Sequence, residues 1–259
     1  IEVSPMGVTI QGPLVRINPG GAAAGTAAFD TDDPLDCEGA DTGEPGYLDR
    51  PYHGGGGGRK KRHCAGYHAR DVTYNPATNT FNYGGSGIAV TGSPDFADKT
   101  LQTLAGLDAT PTGHQLIDNL QSNGHTATIK EATPAEAAAN GGGVTTGVQP
   151  AMSNGTGSDS TVAWAPGMNA QYTDENGVNH TQPDEALLGH ELNHADHNGR
   201  GASLNGTPDP ADATGNQEES QTIGINDHKN DAVTENNILK DMGEDWRRTD
   251  HDSNAHTRP

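Results

Sequence analysis

The pentapeptide His190-Glu-Leu-Asn-His194 restricts this chain more than any other stretch, because its side chains converge only on a helix. Histidines four residues apart project from one helix face, so both imidazoles can reach a single ion. Glu191, about 100° round the helix from His190, flanks that face and is placed to act on a water beside the ion. Residues 181–199 read as one helix with both ends marked: Thr181 as N-cap with Asp184 three residues on, Pro183 in the first turn, and Gly199 as a left-handed stop.

Two histidines flanking a glutamate in this register are the H-E-x-x-H pattern, in which neutral imidazoles hold Zn²⁺ and the glutamate is a general base. The bland alternative is a pair of surface histidines on an exposed helix. A catalytic zinc takes a third protein ligand and keeps one position open for water. The extended pattern H-E-x-x-H-x-x-G-x-x-H does not apply, because His197 stands where glycine is required and Arg200 where the third histidine should be. His197 lies about 10.5 Å along the helix from His190, so it suits a supporting or capping role. That leaves a carboxylate. Glu235 precedes Ile238, Leu239 and Met242 by three, four and seven residues, which puts it on the apolar side of a short helix with Thr234 as N-cap and Gly243 as stop. A carboxylate facing a core needs a partner, and the reading taken is that Glu235 is the third ligand, with Glu219 and then Glu218 as rivals. For the oxyanion the candidates are His228, Arg247 and Tyr172.

Composition limits the core. Leu, Ile, Val and Phe number 35 of 259 residues, against 36 Gly and 16 Pro, so long loops over a small core are expected and a bound metal would contribute to folding. A formal charge of −20 argues against a nucleic-acid backbone or an anionic lipid surface as partner. No apolar run approaches the roughly 18 residues of a membrane span, and the start lacks the basic and apolar regions of a cleaved leader. Cys37 and Cys64 allow one disulfide, two free thiols, or a second metal site with His63 or His68.

Along the chain, residues 1–18 alternate apolar and polar, with Val8, Ile10, Val15 and Ile17 marking two short strands broken at Gly12-Pro13. Residues 22–27 read as linker and 28–70 as loop, including the basic run Arg59–Arg62. The alternation across 71–90 around Asn75-Pro76 predicts a hairpin. Leu116, Ile117 and Leu120 predict a helix over 112–120, and 125–130 reads as a strand. A polar loop follows to about 158, then a strand over 160–165 that is assigned to the edge of the cleft, where an extended substrate could add. Residues 247–256 read as a polar, mobile end.

Two stretches carry resemblances. Val8-Thr-Ile-Gln-Gly-Pro-Leu-Val-Arg-Ile-Asn-Pro-Gly-Gly21 resembles the end of the β-prism spike in type VI secretion VgrG proteins. The resemblance implies that 1–21 closes a spike tail and that 28–259 is a fused effector, split into a loop-rich part (28–110) and a catalytic core (111–250). It also implies export without a leader, with the rest of the trimeric spike and an immunity protein as partners. Leu188-Gly-His-Glu-Leu-Asn-His-Ala-Asp-His197, Glu218-Glu-Ser-Gln-Thr-Ile-Gly224 and Thr234-Glu-Asn-Asn-Ile-Leu-Lys240 are similar, in order, to the secreted effector metallopeptidases. That family includes NleD-type enzymes and modules at the ends of Rhs toxins. The similarity implies an α+β, zincin-like fold with a small sheet, His190 and His194 as zinc ligands and Glu191 as base, and it leaves open which glutamate coordinates. Asn193 departs from the family, where an aliphatic residue is commoner. The expectation is a zinc endopeptidase toxin that hydrolyses a target-cell protein, in the bacterial periplasm or the host cytosol. The alternatives are a zinc amidase acting on peptidoglycan and a non-catalytic, zinc-stabilised adaptor of the spike.

Overall fold

The structure, a computed structural model, describes residues 2–4, 7–9, 70–168, 170–211, 215–252 and 255–257. The linker, the loop to residue 69 and the cysteine pair lie outside them. Near the start, β1 (Glu2–Ser4) and β2 (Gly7–Thr9) pair antiparallel with Val3 opposite Val8. The expected second strand at Val15 and Ile17 lies outside the described residues.

The main body begins with a meander of β3 (Val72–Asn75), β4 (Thr80–Tyr83) and β5 (Ile88–Thr91). The predicted hairpin is its first turn, with Tyr74 opposite Phe81 and their rings 4.6 Å apart. Next come α1 (Pro94–Asp108) and α2 (Pro111–Ser122), each opened by a hydroxyl cap, Ser93 or Thr110, and by a proline whose missing N–H costs nothing at that position. The strand β6 (Ala127–Glu131) then lies parallel to β5. After α3 (Pro134–Ala139), the strands β7 (Gly143–Thr146) and β8 (Ser160–Trp164) finish a mixed six-stranded sheet of order β3-β4-β5-β6-β8-β7. A hairpin of β9 (Gln171–Thr173) and β10 (Asn179–Thr181) leads into α4 (Asp184–Gly199), and α5 (Gln217–Ile223), α6 (Glu235–Asp241) and a terminal pair, β11 (Trp246–Arg248) and β12 (Ala255–Thr257), follow. The architecture is α+β, as expected, with a wider sheet than the small one foreseen.

Several expectations need correction. Residues 70–110 are not loop-rich: they supply three strands and α1, and β5 shares the sheet with β6 beyond residue 111. The cleft edge is β7 rather than the strand at 160–165, because β8 is flanked on both sides, by β6 and β7. The sequence Gly-Val-Thr-Thr of β7 has too few apolar residues to stand out from its polar surroundings. Thr181 belongs to β10, and α4 starts at Asp184 behind Pro183 with no side-chain cap. Gly199 is still helical. The left-handed residue is Gly201 (φ 66°), with Ala202 N–H bonded to the His197 carbonyl and Gly201 N–H to that of Asn198. These two bonds make a Schellman stop. Where it is described, the 247–256 end is not a mobile tail, since Arg247 and Arg248 are buried and β11 pairs with β12.

Among the described residues the core is one cluster. In α4 the residues Leu188, Leu192 and Ala195 belong to it, joined by Leu104 and Leu107 of α1, Leu116 and Leu120 of α2, and Ile129 and Val162 of the sheet. The helix packs against α1, α2 and α6 on one hand and β7 and β8 on the other. Among the described residues no helix is long and apolar enough to cross a membrane. Leu192 is fully buried on α4, so Leu192→Ala is expected to lower unfolding free energy by about 2–5 kcal/mol, read from urea denaturation.

Candidate metal centre

The rotation of α4 decides which side chains face the cleft. His190 stands two residues, about 200°, from Leu188, so burying the Leu188–Leu192–Ala195 stripe turns His190 and His194 to the opposite face. Their rings meet edge to face with centroids 4.8 Å apart and Nε2 atoms 3.1 Å apart.

Each ring is held from behind. Glu235, the fully buried first residue of α6, accepts from His190 Nδ1 at 2.8 Å, from Arg248 Nη1 at 2.7 Å and from Gln182 Nε2 at 2.8 Å. Glu218 of α5 accepts at one oxygen from His194 Nδ1 (2.9 Å) and His197 Nδ1 (2.8 Å), and at the other from Leu204 N–H (2.7 Å). A proton on each Nδ1, donated to a carboxylate, leaves each Nε2 as a bare lone pair. Glu219, next to Glu218 and about 100° further round α5, brings Oε2 to 3.3 Å from His190 Nε2 and 3.4 Å from His194 Nε2. That oxygen is buried and makes no hydrogen bond. Among the described residues, His190, His194 and Glu219 form the group able to hold a metal ion, with donor atoms within 4.8 Å of one another. Two imidazole nitrogens, each ring held from its Nδ1 side, and one carboxylate oxygen fit zinc's catalytic donor set. Burial pushes the Glu219 carboxyl up, but when the imidazoles of His194 and His190 carry an extra proton their positive charge outweighs it and lowers the carboxyl below its ordinary value.

Glu235 was expected in the third position. The structure places it behind His190, on the Nδ1 side, and it is absent from the converging group. Its apolar-facing position was read correctly, as was its need for a partner. That partner is Arg248, which lies in a segment whose three-residue strand gives no periodic signal. Burial raises the Glu235 carboxyl, and the Arg248 guanidinium together with the His190 ring more than reverses this.

Glu191 is buried against the edge strand. Thr145 Oγ1 lies 2.7 Å from Glu191 Oε2 and 2.9 Å from the Glu191 carbonyl oxygen, so its one proton can serve either. A Cβ on Gly143 would sit 2.6 Å from Glu191 Cγ and 2.7 Å from Oε1. Glycine is needed there for space, so that the carboxylate can lie on the backbone of β7.

The cleft above these groups has a volume of about 610 Å³. Of the three oxyanion candidates, Tyr172 lines it. Its hydroxyl is 3.3 Å from Gln182 Oε1, and the Arg248 guanidinium stands 4.6 Å from its ring centroid. His228 is instead paired with Asp231, and the Arg247 guanidinium caps the carbonyls of Glu244 and Trp246. Arg248 and His251 were missed. Both line the cleft, Arg248 Nη2 donates to the His251 carbonyl at 2.7 Å, and His251 Nε2 is 3.6 Å from Glu219 Oε2. His197, read as a supporting residue, shares Glu218 with His194.

A sheet laid beside a helix that carries His190, Glu191 and His194, with carboxylates supplied by two later helices, defines a peptidase-like α+β fold. The chain belongs to the Peptidase_M91 family of effector proteins, whose profile matches residues 84–255. No curated protein matches it. Among solved structures, the botulinum neurotoxin type G light chain aligns with TM-score 0.43 and 14% identity over 79% of this chain and 64% of its own. The serotype HA light chain aligns with TM-score 0.37 and 14% identity over 57% and 48%. The Clostridium botulinum serotype F light chain gives 0.36 and 17% over 75% and 56%. This chain therefore spans between 48% and 64% of the length of these light chains.

Removing the cation from the buried pair leaves Glu235 charged without its main partner. Arg248→Met is expected to cost about 3–5 kcal/mol in urea unfolding. The double variant Arg248→Met with Glu235→Gln should recover part of that loss.

Proposed function

We propose that this protein is a zinc metallopeptidase effector in which His190, His194 and Glu219 hold the metal and Glu191 is the general base. One observation carries the reading: two bare Nε2 atoms and the orphaned Glu219 Oε2 face a common point, while each Nδ1 is engaged by its own carboxylate. Uncharged hydrogen bonding leaves that oxygen unsatisfied, and a divalent cation satisfies all three donors. Zinc, when bound there, supplies a Lewis acid and lowers the pKa of a coordinated water to about 7.

The remaining chemistry belongs to the chain's own side chains. Glu191, positioned by Thr145 and Gly143, takes a proton from the attacking water and delivers it to the leaving amine. An extended peptide is held along the outer edge of β7, which pairs with no strand among the described residues. Arg248 Nε is buried without a hydrogen-bond partner in the cleft wall, and His251 stands at the mouth. The His251 ring and the Tyr172 hydroxyl, once turned from Gln182, would be the donors toward the developing oxyanion. The resemblance of Val8–Gly21 to a spike terminus supports delivery into a target cell by a type VI secretion spike.

Metal analysis and peptidase assays on the full chain test the reading. Wild type should hold one zinc. Glu219→Ala should lose it, and Glu235→Ala should keep it with affinity about 10–100-fold weaker. Glu191→Gln should keep zinc and lose activity by about 10²–10⁴-fold. Wild-type protein that takes up no zinc would overturn the proposal.

A further inference from the structure

Toward the C-terminal end of α4 the cleft is lined by Asn198, Ser203 and Asn205 with Met152, and toward the N-terminal end by Leu187, Met168 and Ala139 with Asn140. Leu187 is one turn before Glu191 on α4. Gly142, at φ 107°, passes between Leu187 and Met168: a Cβ there would lie 2.9 Å from Met168 Cβ and 3.1 Å from Leu187 Cδ2. The turn that carries Met168 is tied to the start of the helix, where both Asp184 carboxylate oxygens accept from Gly167 N–H at 3.0 and 2.9 Å. Met168 is nonetheless 40% exposed, one of the few large apolar side chains left open to solvent among the described residues. A methionine held in the wall of the cleft that also contains Glu191, and partly open to solvent, is suited to receive an apolar group of variable shape.

The direction of β7 places this end relative to the bond that is cut. The strand starts at Gly143, against Glu191, and runs toward Gly147, against Asn198. A peptide added antiparallel to it enters at the Asn198 end and leaves past Gly143 toward Met168. We infer that Met168 and Leu187 form a specificity pocket for an aliphatic, leucine-sized side chain on the substrate residue immediately C-terminal to the cleaved bond. The inference rests on the peptidase reading above and adds the class of substrate.

The test uses the zinc-loaded full chain and two short peptide hydroxamates that differ in one side chain, isobutyl or hydroxymethyl, at the position after the chelating group. Binding is measured by calorimetry. The isobutyl probe is expected to bind wild type about tenfold tighter or more. Met168→Asp should reduce the ratio to below about threefold with zinc content unchanged, while Val148→Asp, at an exposed valine outside the cleft lining, should leave it intact. Equal affinity for the two probes, or a preference that survives Met168→Asp, would overturn the pocket and leave the metallopeptidase reading standing. A chain that takes up no zinc and binds neither probe would remove both.

Discussion

The arrangement of this molecule depends on the carboxylates that hold the far sides of its two paired histidines. Glu235 on His190 and Glu218 on His194 fix both tautomers, and so aim two lone pairs at one point. A buried carboxylate is expensive unless its charge is met. Glu235 is met by Arg248, which explains why the chain past α6 folds back as β11 rather than ending in solvent. That return also sets Arg248 over Tyr172, and Trp246 against the Tyr172 and His180 rings. One ionic requirement thus organises a wall of the cleft.

With so few aliphatic residues, the protein uses them economically. One cluster joins α1, α2, α4 and the sheet, and polar contacts supply specificity elsewhere. Asp108 is an example: fully buried, it accepts from Tyr83, Arg70 and His114 and so ties β4, α1 and α2 together. Such a network is stable only when every member is satisfied. The same logic makes the orphaned Glu219 oxygen informative, because it departs from the pattern its neighbours obey.

Glycine does comparable work along the edge strand. Gly142 and Gly143 let β7 approach α4 closely enough for Glu191 to lie on its backbone and for Leu187 and Met168 both to pack close to Gly142. A composition that reads as loop is, in three dimensions, the means by which strand and helix come into contact. Membership of an effector peptidase family agrees with a molecule whose distinctive residues gather on one cleft.

What was legible in the sequence was local. The helical face of His190, Glu191 and His194, the caps of α6, the helix over 112–120 and the strand over 125–130 follow from contacts between residues three or four apart, or from alternation. The sequence also singled out Glu218, Glu219 and Glu235 as candidate partners of the histidines and placed Glu235 on an apolar face. Only the tertiary structure set which atom of which ring each one meets. Which carboxylate meets Nε2 and which meets Nδ1 is set by the relative rotation of α4, α5 and α6, and no spacing within one helix encodes that angle. Arg248 and Thr145 stayed hidden for the same reason: each sits on a strand of three or four residues, too short for a pattern, and acquires its role from a residue dozens of positions away or on another element.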